Sequence, residues 1–209
     1  MLEKLLAHPG VREVCELRSR FGFMAFHGGS LEEMTDVIAA DAAERSGASY
    51  YGVLQPHDLQ WHIPSHKVSP SASPALASFV EHVDVVVTVH GYGRQGLFTS
   101  LLLGGRNRDL AQHVGSHLQA HLPAYDIRTH LDSIPIDLRG QHQDNPVNLP
   151  PHQGVQIELP PRVRGSSPLW WDWEGPGHTP HTEALIVALA AAANSWSIDT
   201  HQPREPGAR

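Results

Sequence analysis

VDVVVTVHG, residues 83–91, decides how the rest of the chain is read. Val83 to Val89 carries valines at odd and even positions alike, as a central strand covered on both faces of a sheet should. The run stops at His90-Gly91, so a side chain able to bind a metal or carry a proton stands at the strand's carboxyl end. Two other segments share this design. Phe21 to Phe26 is an apolar strand that ends in His27-Gly28-Gly29, where glycine allows a sharp bend. Gly154 to Leu159 (GVQIEL) is a strand with Glu158 near its end.

Helical patterns lie between these strands. From Leu31 to about Arg45, Leu31, Met34, Ile38 and Ala42 fall on one face, and Ser30 with Glu33 could form a capping box. Leu76 to His82 reads as a short helix. Arg106 to Leu122 carries Leu110, Val114, Leu118 and Leu122 on one stripe. Thr179 to Trp196 reads as a helix with a threonine cap and Pro180 at its first position. Short strands are expected at Tyr50–Leu54 and Tyr125–Thr129. Gln55 to Pro74 reads as a long loop of Pro, Ser and His, and Gln141 to Gln153 as a polar loop. Alternating strands and helices of this kind predict an α/β fold: one domain over 1–197, a mixed twisted sheet flanked by helices, then a flexible tail over 198–209.

Composition narrows the function. The 209 residues carry a formal net charge of −7 and show no clustered Lys or Arg, which argues against binding a phosphate backbone. The one cysteine, Cys15, excludes an intrachain disulfide; its neighbours Val11 and Val14 suggest a helical core position. Leu185 to Ala193, the longest apolar stretch, is too short for a membrane span, and the N-terminus lacks the apolar run of a signal peptide. A cytoplasmic monomer with no nucleic-acid or membrane partner is expected.

Ligands in open α/β sheets bind at the carboxyl ends of the strands. If the three strands are neighbours, His27, His90 and Glu158 meet at one edge, and Glu32 joins them from the first turn of the following helix. Two histidines and one carboxylate are a standard ligand set for one Zn²⁺ in a hydrolase, with a position kept for water. A further carboxylate, free of metal, can then carry a proton from water to a leaving amine. His27, Glu32 and His90 fit the first role and Glu158 the second. A His followed five residues later by Glu is common, however, and ordinary strand-to-helix turns would also account for the glycines.

A longer series of motifs sharpens this reading. His27-Gly28-Gly29-Ser30-Leu31-Glu32, followed by Thr35, resembles the HGG-x-[IL]-E…T signature of the poly-γ-glutamate hydrolase family. The resemblance continues in order through Val89-His90-Gly91, Gly104-Gly105-Arg106-Asn107, Asn145-Pro146-Val147-Asn148, and Gly154 to Leu159 followed by Arg164. It implies a zinc carboxypeptidase-like sheet with one zinc on His27, Glu32 and His90. It also implies Glu158 as general base and cleavage of γ-glutamyl amide bonds. Two departures bear on the substrate. Glu32-Glu33-Met34-Thr35 stands where the family has Glu-Pro-Gly-Thr, and Gln60-Trp61-His62-Ile63-Pro64-Ser65 replaces the Leu-His-[IV]-Thr-Ser block.

An anionic peptide substrate would need local positive or hydrogen-bonding groups. Arg94, Arg106, Arg162 and Arg164 are candidates to hold carboxylates, Asn145 and Asn148 to donate hydrogen bonds, and His62 to face the substrate. His113, His117 and His121 share a helix face without a carboxylate partner and read as a solvated stripe. Trp170, Trp171 and Trp173 read as loop packing. Two other activities remain open: an exo-acting carboxypeptidase or deacylase on small acylated amino acids, and a non-catalytic metal-binding remnant. Glu158 argues against the last, since a storage site has no use for a free base.

Overall fold

The computed structural model describes residues 1–197, so the expected flexible tail over 198–209 lies outside the described residues. Seven strands form one mixed sheet: Arg12–Glu16 (β1), Phe21–Gly29 (β2), Ser49–Gln55 (β3), Val85–Gly91 (β4), Ser100–Leu103 (β5), Asp126–Arg128 (β6) and Gly154–Leu159 (β7). Their order across the sheet is β1-β3-β2-β4-β7-β5-β6. The four central strands β3, β2, β4 and β7 run parallel. β1 is antiparallel to β3, and β5 is antiparallel to β7 with β6 parallel beside it. The expected α/β mixed sheet is therefore present, with the three motif-bearing strands as neighbours at its centre.

Alternation along the central strands feeds two cores. Phe23 and Ala25 of β2, Val85, Val87 and Val89 of β4, and Val155 and Ile157 of β7 pack with helices Thr35–Ser46 (α2), Arg108–His121 (α4) and Pro180–Ser195 (α6). Met24 and Phe26 of β2 and Val86 of β4 face the other way. They pack with Leu2–Leu6 (α1), Pro74–His82 (α3) and the long loop residues Ile63 and Val68. A buried Val or Leu is worth roughly 1.5–3 kcal/mol, so both faces of the valine-rich strands contribute heavily to stability. α6 packs across α2 and α4, and its alanines allow that close approach. Its cap is the expected one: Thr179 Oγ1 accepts from the Thr182 N–H, with Pro180 at the first helical position.

Several local expectations are corrected. α2 begins at Thr35 and not at Leu31, and no Ser30–Glu33 capping box forms. The Ser30 hydroxyl contacts the carbonyls of Pro56 and Leu59 instead, tying the loop to its neighbour. Residues 31–34 form a turn in which the Glu32 N–H donates to His27 O and the Thr35 N–H to Glu32 O. Met34 closes it in the left-handed region at φ 70°, a conformation that costs a non-glycine residue on the order of 1 kcal/mol. Cys15 lies in β1 and not in a helix, with its thiol directed at Ala75 O. β1 and β5 carry no clear sequence pattern and are additions to the expected strands. β4 starts two residues later than the valine run, because Val83 caps α3 and Asp84 pairs with Arg20.

Candidate metal centre and cleft

β-strand periodicity assembles the site. Thr88 pairs in register with Gln156, and His90 with Glu158. With Val87, Val89, Val155 and Ile157 turned into the helical core, His90, Gln156 and Glu158 take the opposite face. At the carboxyl end of that face, loops replace the helices and leave a cleft of about 690 Å³. On β2, one extra residue between Ala25 and Gly28 shifts the register against β3 beside His27. Such bulges re-aim side chains. The chain then turns at Gly29, whose φ is 70° and where a Cβ would lie 2.2 Å from Gln55 O, so only glycine fits.

Glu32 sits between two imidazoles. His27 Nδ1 lies 2.9 Å from its Oε1, and His90 Nδ1 lies 3.2 Å from its Oε2. The Gly91 N–H also donates to Oε2, at 2.9 Å. His27 Nε2 is 2.8 Å from the Ile63 carbonyl. A carbonyl can only accept, so Nε2 carries the hydrogen, and in the neutral ring Nδ1 presents a lone pair towards the carboxylate. Two electron-rich atoms then face each other, an arrangement that a bound cation completes. Anchoring the second imidazole nitrogen on a backbone carbonyl is also the usual support for a metal-bound histidine. Burial alone would raise the Glu32 carboxyl, but the two imidazoles beside it, His90 above all, outweigh burial and hold it well below the usual range. Burial pushes the His90 imidazole down, despite the opposing pull of Glu32. An ionised carboxylate beside a neutral imidazole is the protonation state that a metal requires. The residues present therefore fit a divalent ion.

The group with metal-ligand spacing differs from the expected one by a member, with His62 where His90 was expected. One ligand atom each from His27, Glu32 and His62 lie within 4.8 Å of one another. The His62 ring is 4.8 Å from that of His27, but His62 is an exposed loop residue. His90 is only 3% exposed and is fixed on a strand, 5.0 Å from His27 between ring centroids.

Glu158 lines the same cleft and is 4% exposed. Burial drives its carboxyl well above the ordinary range, and the charge of Glu32 adds to this; a hydrogen bond from Gln156 opposes it. That bond, Gln156 Nε2 to Glu158 Oε1, is 2.7 Å, and Asn145 Nδ2 in turn donates to Gln156 Oε1 at 2.8 Å. Gln156 is a site residue that the sequence reading misses, although its place two residues before Glu158 on one strand is a sufficient signal.

The candidate substrate residues divide. His62 and Asn145 line the cleft. Arg94, Arg106, Asn148 and Arg164 do not. Arg94 is exposed and paired with Asp137, and Arg106 donates through Nε to Gln141 O. Asn148 is consumed by loop structure, donating to Gly140 O and His142 O and accepting from the Arg106 N–H. Arg164 is 7% exposed and donates to Leu159 O and Glu33 O. It lies behind Gly91, where a Cβ would come within 2.8 Å of its guanidinium carbon. It braces the Glu32 turn from behind the cleft wall.

Among the described residues, the other two expectations of bland roles also have a location. His113 and His117 contact Ser195 Oγ, and Trp171 is exposed while Trp170 donates to Arg162 O. No helix among the described residues is long and apolar enough to cross a membrane.

Comparisons with known proteins agree with this architecture. Two solved structures share the fold at 18% identity and a TM-score of 0.73: a bacteriophage poly-γ-glutamate hydrolase, over 90% of this chain and 91% of that one, and the zinc-free form of YNDL, over 88% and 90%. A metallo-carboxypeptidase from Burkholderia cenocepacia is more remote, at 11% identity and a TM-score of 0.47 over 92% of this chain and 66% of that one. No curated protein sequence matches the chain. The family model for poly-gamma-glutamate hydrolase matches residues 3–167, and the chain belongs to that family.

Proposed function

We propose that this protein is a zinc-dependent hydrolase of γ-glutamyl amide bonds, with His27, Glu32 and His90 as metal ligands and Glu158 as general base. The observation that carries the proposal is the Glu32 carboxylate held between His27 Nδ1 and His90 Nδ1, with a buried second carboxylate, Glu158, in the same cleft. Family membership supports the choice of bond. When bound, zinc would supply Lewis acidity, polarising the scissile carbonyl and making water acidic enough to attack.

The chain's own residues do the rest. Glu158 takes the proton of the attacking water and returns it to the leaving amine, so that nitrogen departs neutral. A carboxyl raised by burial suits both halves of that role, as base and then as acid. Gln156 keeps one carboxylate oxygen occupied and fixes the direction of the other, with Asn145 holding Gln156. Ile63 O locks the His27 tautomer, and Arg164 holds the turn that carries Glu32. His62, exposed at the cleft and close to His27, meets the substrate.

The test is incubation of zinc-loaded protein with high-molecular-weight poly-γ-glutamate, following polymer size by gel filtration, with Glu158→Gln as control. A fall in size that requires Glu158 is expected. Unchanged polymer in a sample shown to hold one zinc would remove the γ-glutamyl assignment. Release of single terminal residues would make the enzyme exo-acting.

A further inference from the structure

Among the described residues, the cleft wall contains no lysine and no arginine. This is unexpected for a protein of net charge −7 whose proposed substrate bears a carboxylate on every residue. The arginines around the cleft are already paired: Arg164 with main-chain carbonyls, Arg106 with Gln141 O and Arg94 with Asp137, and Gln141 and Asp137 are themselves part of the wall. The wall does contain His66 and His142, which come from different loops. His66 stands on the short helical turn Ser65–Lys67, and His142 on the segment before Asn145. Their rings are 4.8 Å apart at an angle of 33°, and both side chains are exposed. Neither contributes to a core. Asp144 Oδ2 is 3.9 Å from His142 Nδ1 and solvated, and the Asp144 N–H donates to that same nitrogen at 3.2 Å, which leaves the His142 Nε2–H free to face the cleft.

We propose that His66 and His142 form the subsite that recognises a substrate carboxylate, and so determine specificity in the role that arginine usually fills. The inference rests on the cleft reading above and deepens it. Each imidazole offers at least one N–H donor whatever its charge. Two such donors on opposite loops can grip the two oxygens of one carboxylate, which fixes the register of a γ-linked chain relative to Glu158. The ring pair is not needed to hold the loops together. Each loop has a tie of its own: Ile63 O accepts from His27 Nε2 in the first, and Asn148 Nδ2 donates to His142 O in the second.

The experiment uses a γ-linked glutamate hexamer and its α-carboxyl methyl ester. In H66A/H142A, KM for the hexamer should rise about tenfold, the loss of roughly 1.4 kcal/mol of binding, while kcat stays within about twofold. Bound zinc should be unchanged, and the ester should be handled alike by both proteins. Binding of the hexamer to E158Q, with and without the two histidine substitutions, is measured by calorimetry in parallel. If the wild type never cuts the hexamer, yet E158Q binds it and loses that binding with H66A/H142A, the hydrolase reading falls and the subsite stands. A hexamer KM unchanged in H66A/H142A, an equal KM loss on the ester, or no hexamer binding by E158Q would each overturn the subsite.

Discussion

His90 and Glu158 lie opposite each other in register on adjacent parallel strands, β4 and β7. Period-two alternation aims both side chains into the same cleft from a rigid sheet, so the distance between the proposed metal ligand and the proposed general base does not depend on any loop. Sites built on strands hold such geometry better than sites built on loops. Glu32 is the exception, carried on a turn that other groups must brace.

Removing the base while keeping the shape separates chemistry from binding. Glu158→Gln should retain one metal per chain and lose turnover by about 10²–10⁴-fold, the usual contribution of a positioned proton carrier. Metal analysis alongside single-turnover rates checks both halves. Undiminished turnover would remove Glu158 from the mechanism.

The structure offers two histidines as partners to His27 and Glu32, and their placement separates them. His90→Ala should lose stoichiometric zinc and, with it, the stabilisation that metal confers, about 2.7 kcal/mol when free zinc is 100 times the dissociation constant. His62→Ala should keep the metal and weaken turnover. Zinc retained by His90→Ala but lost by His62→Ala would reverse the assignment.

Arg164 is buried, lies outside the cleft wall and holds Glu33 O beside Glu32, the proposed ligand. Lysine cannot reproduce the paired contacts to Leu159 O and Glu33 O. Arg164→Lys is expected to weaken zinc binding by about 10–100-fold, as loss of a residue that orients a ligand does. Competition with a calibrated chelator measures it. An unchanged affinity would leave Arg164 a purely structural role.

Gln156 lowers the Glu158 carboxyl against the larger upward push of burial. As the proposed base, Glu158 would work ionised, so the rate should fall as pH drops through its pKa. Removing the Gln156 hydrogen bond disfavours the ionised form and raises that pKa further. Gln156→Leu should therefore shift the acid limb of the kcat/KM profile to higher pH. A limb that stays in place, with metal content equal, would show that Gln156 does not tune the base.

Much of this site is legible because strands report themselves locally. The valine run to His90, the apolar run to His27 and GVQIEL around Glu158 each display periodicity and a polar stop within a few residues, while their side-by-side order in the sheet is a tertiary outcome. The region around Glu32 is less legible. A helical stripe from Leu31 onwards suggests a capped helix, whereas the Ser30 hydroxyl is drawn to Pro56 O and Leu59 O and Met34 is held left-handed. Those partners are distant in sequence and outweigh local propensity. β1 at the edge and the short β5 show no pattern, since four or five residues are too few to reveal a period.

Local spacing and composition are enough to read the strand-end residues His27, His90 and Glu158, the α/β class and the absence of any basic cluster for nucleic acid. What surrounds them is set by how the folded chain packs. That packing drew His62 towards His27, linked Asn145 through Gln156 to Glu158, paired Arg94 and Arg106 with the wall residues Asp137 and Gln141, left Asn148 and Arg164 behind the wall, and set the His66 ring beside that of His142. Each of these depends on loops meeting across the sheet's carboxyl edge, and where two loops meet is a long-range packing outcome that no local periodicity encodes.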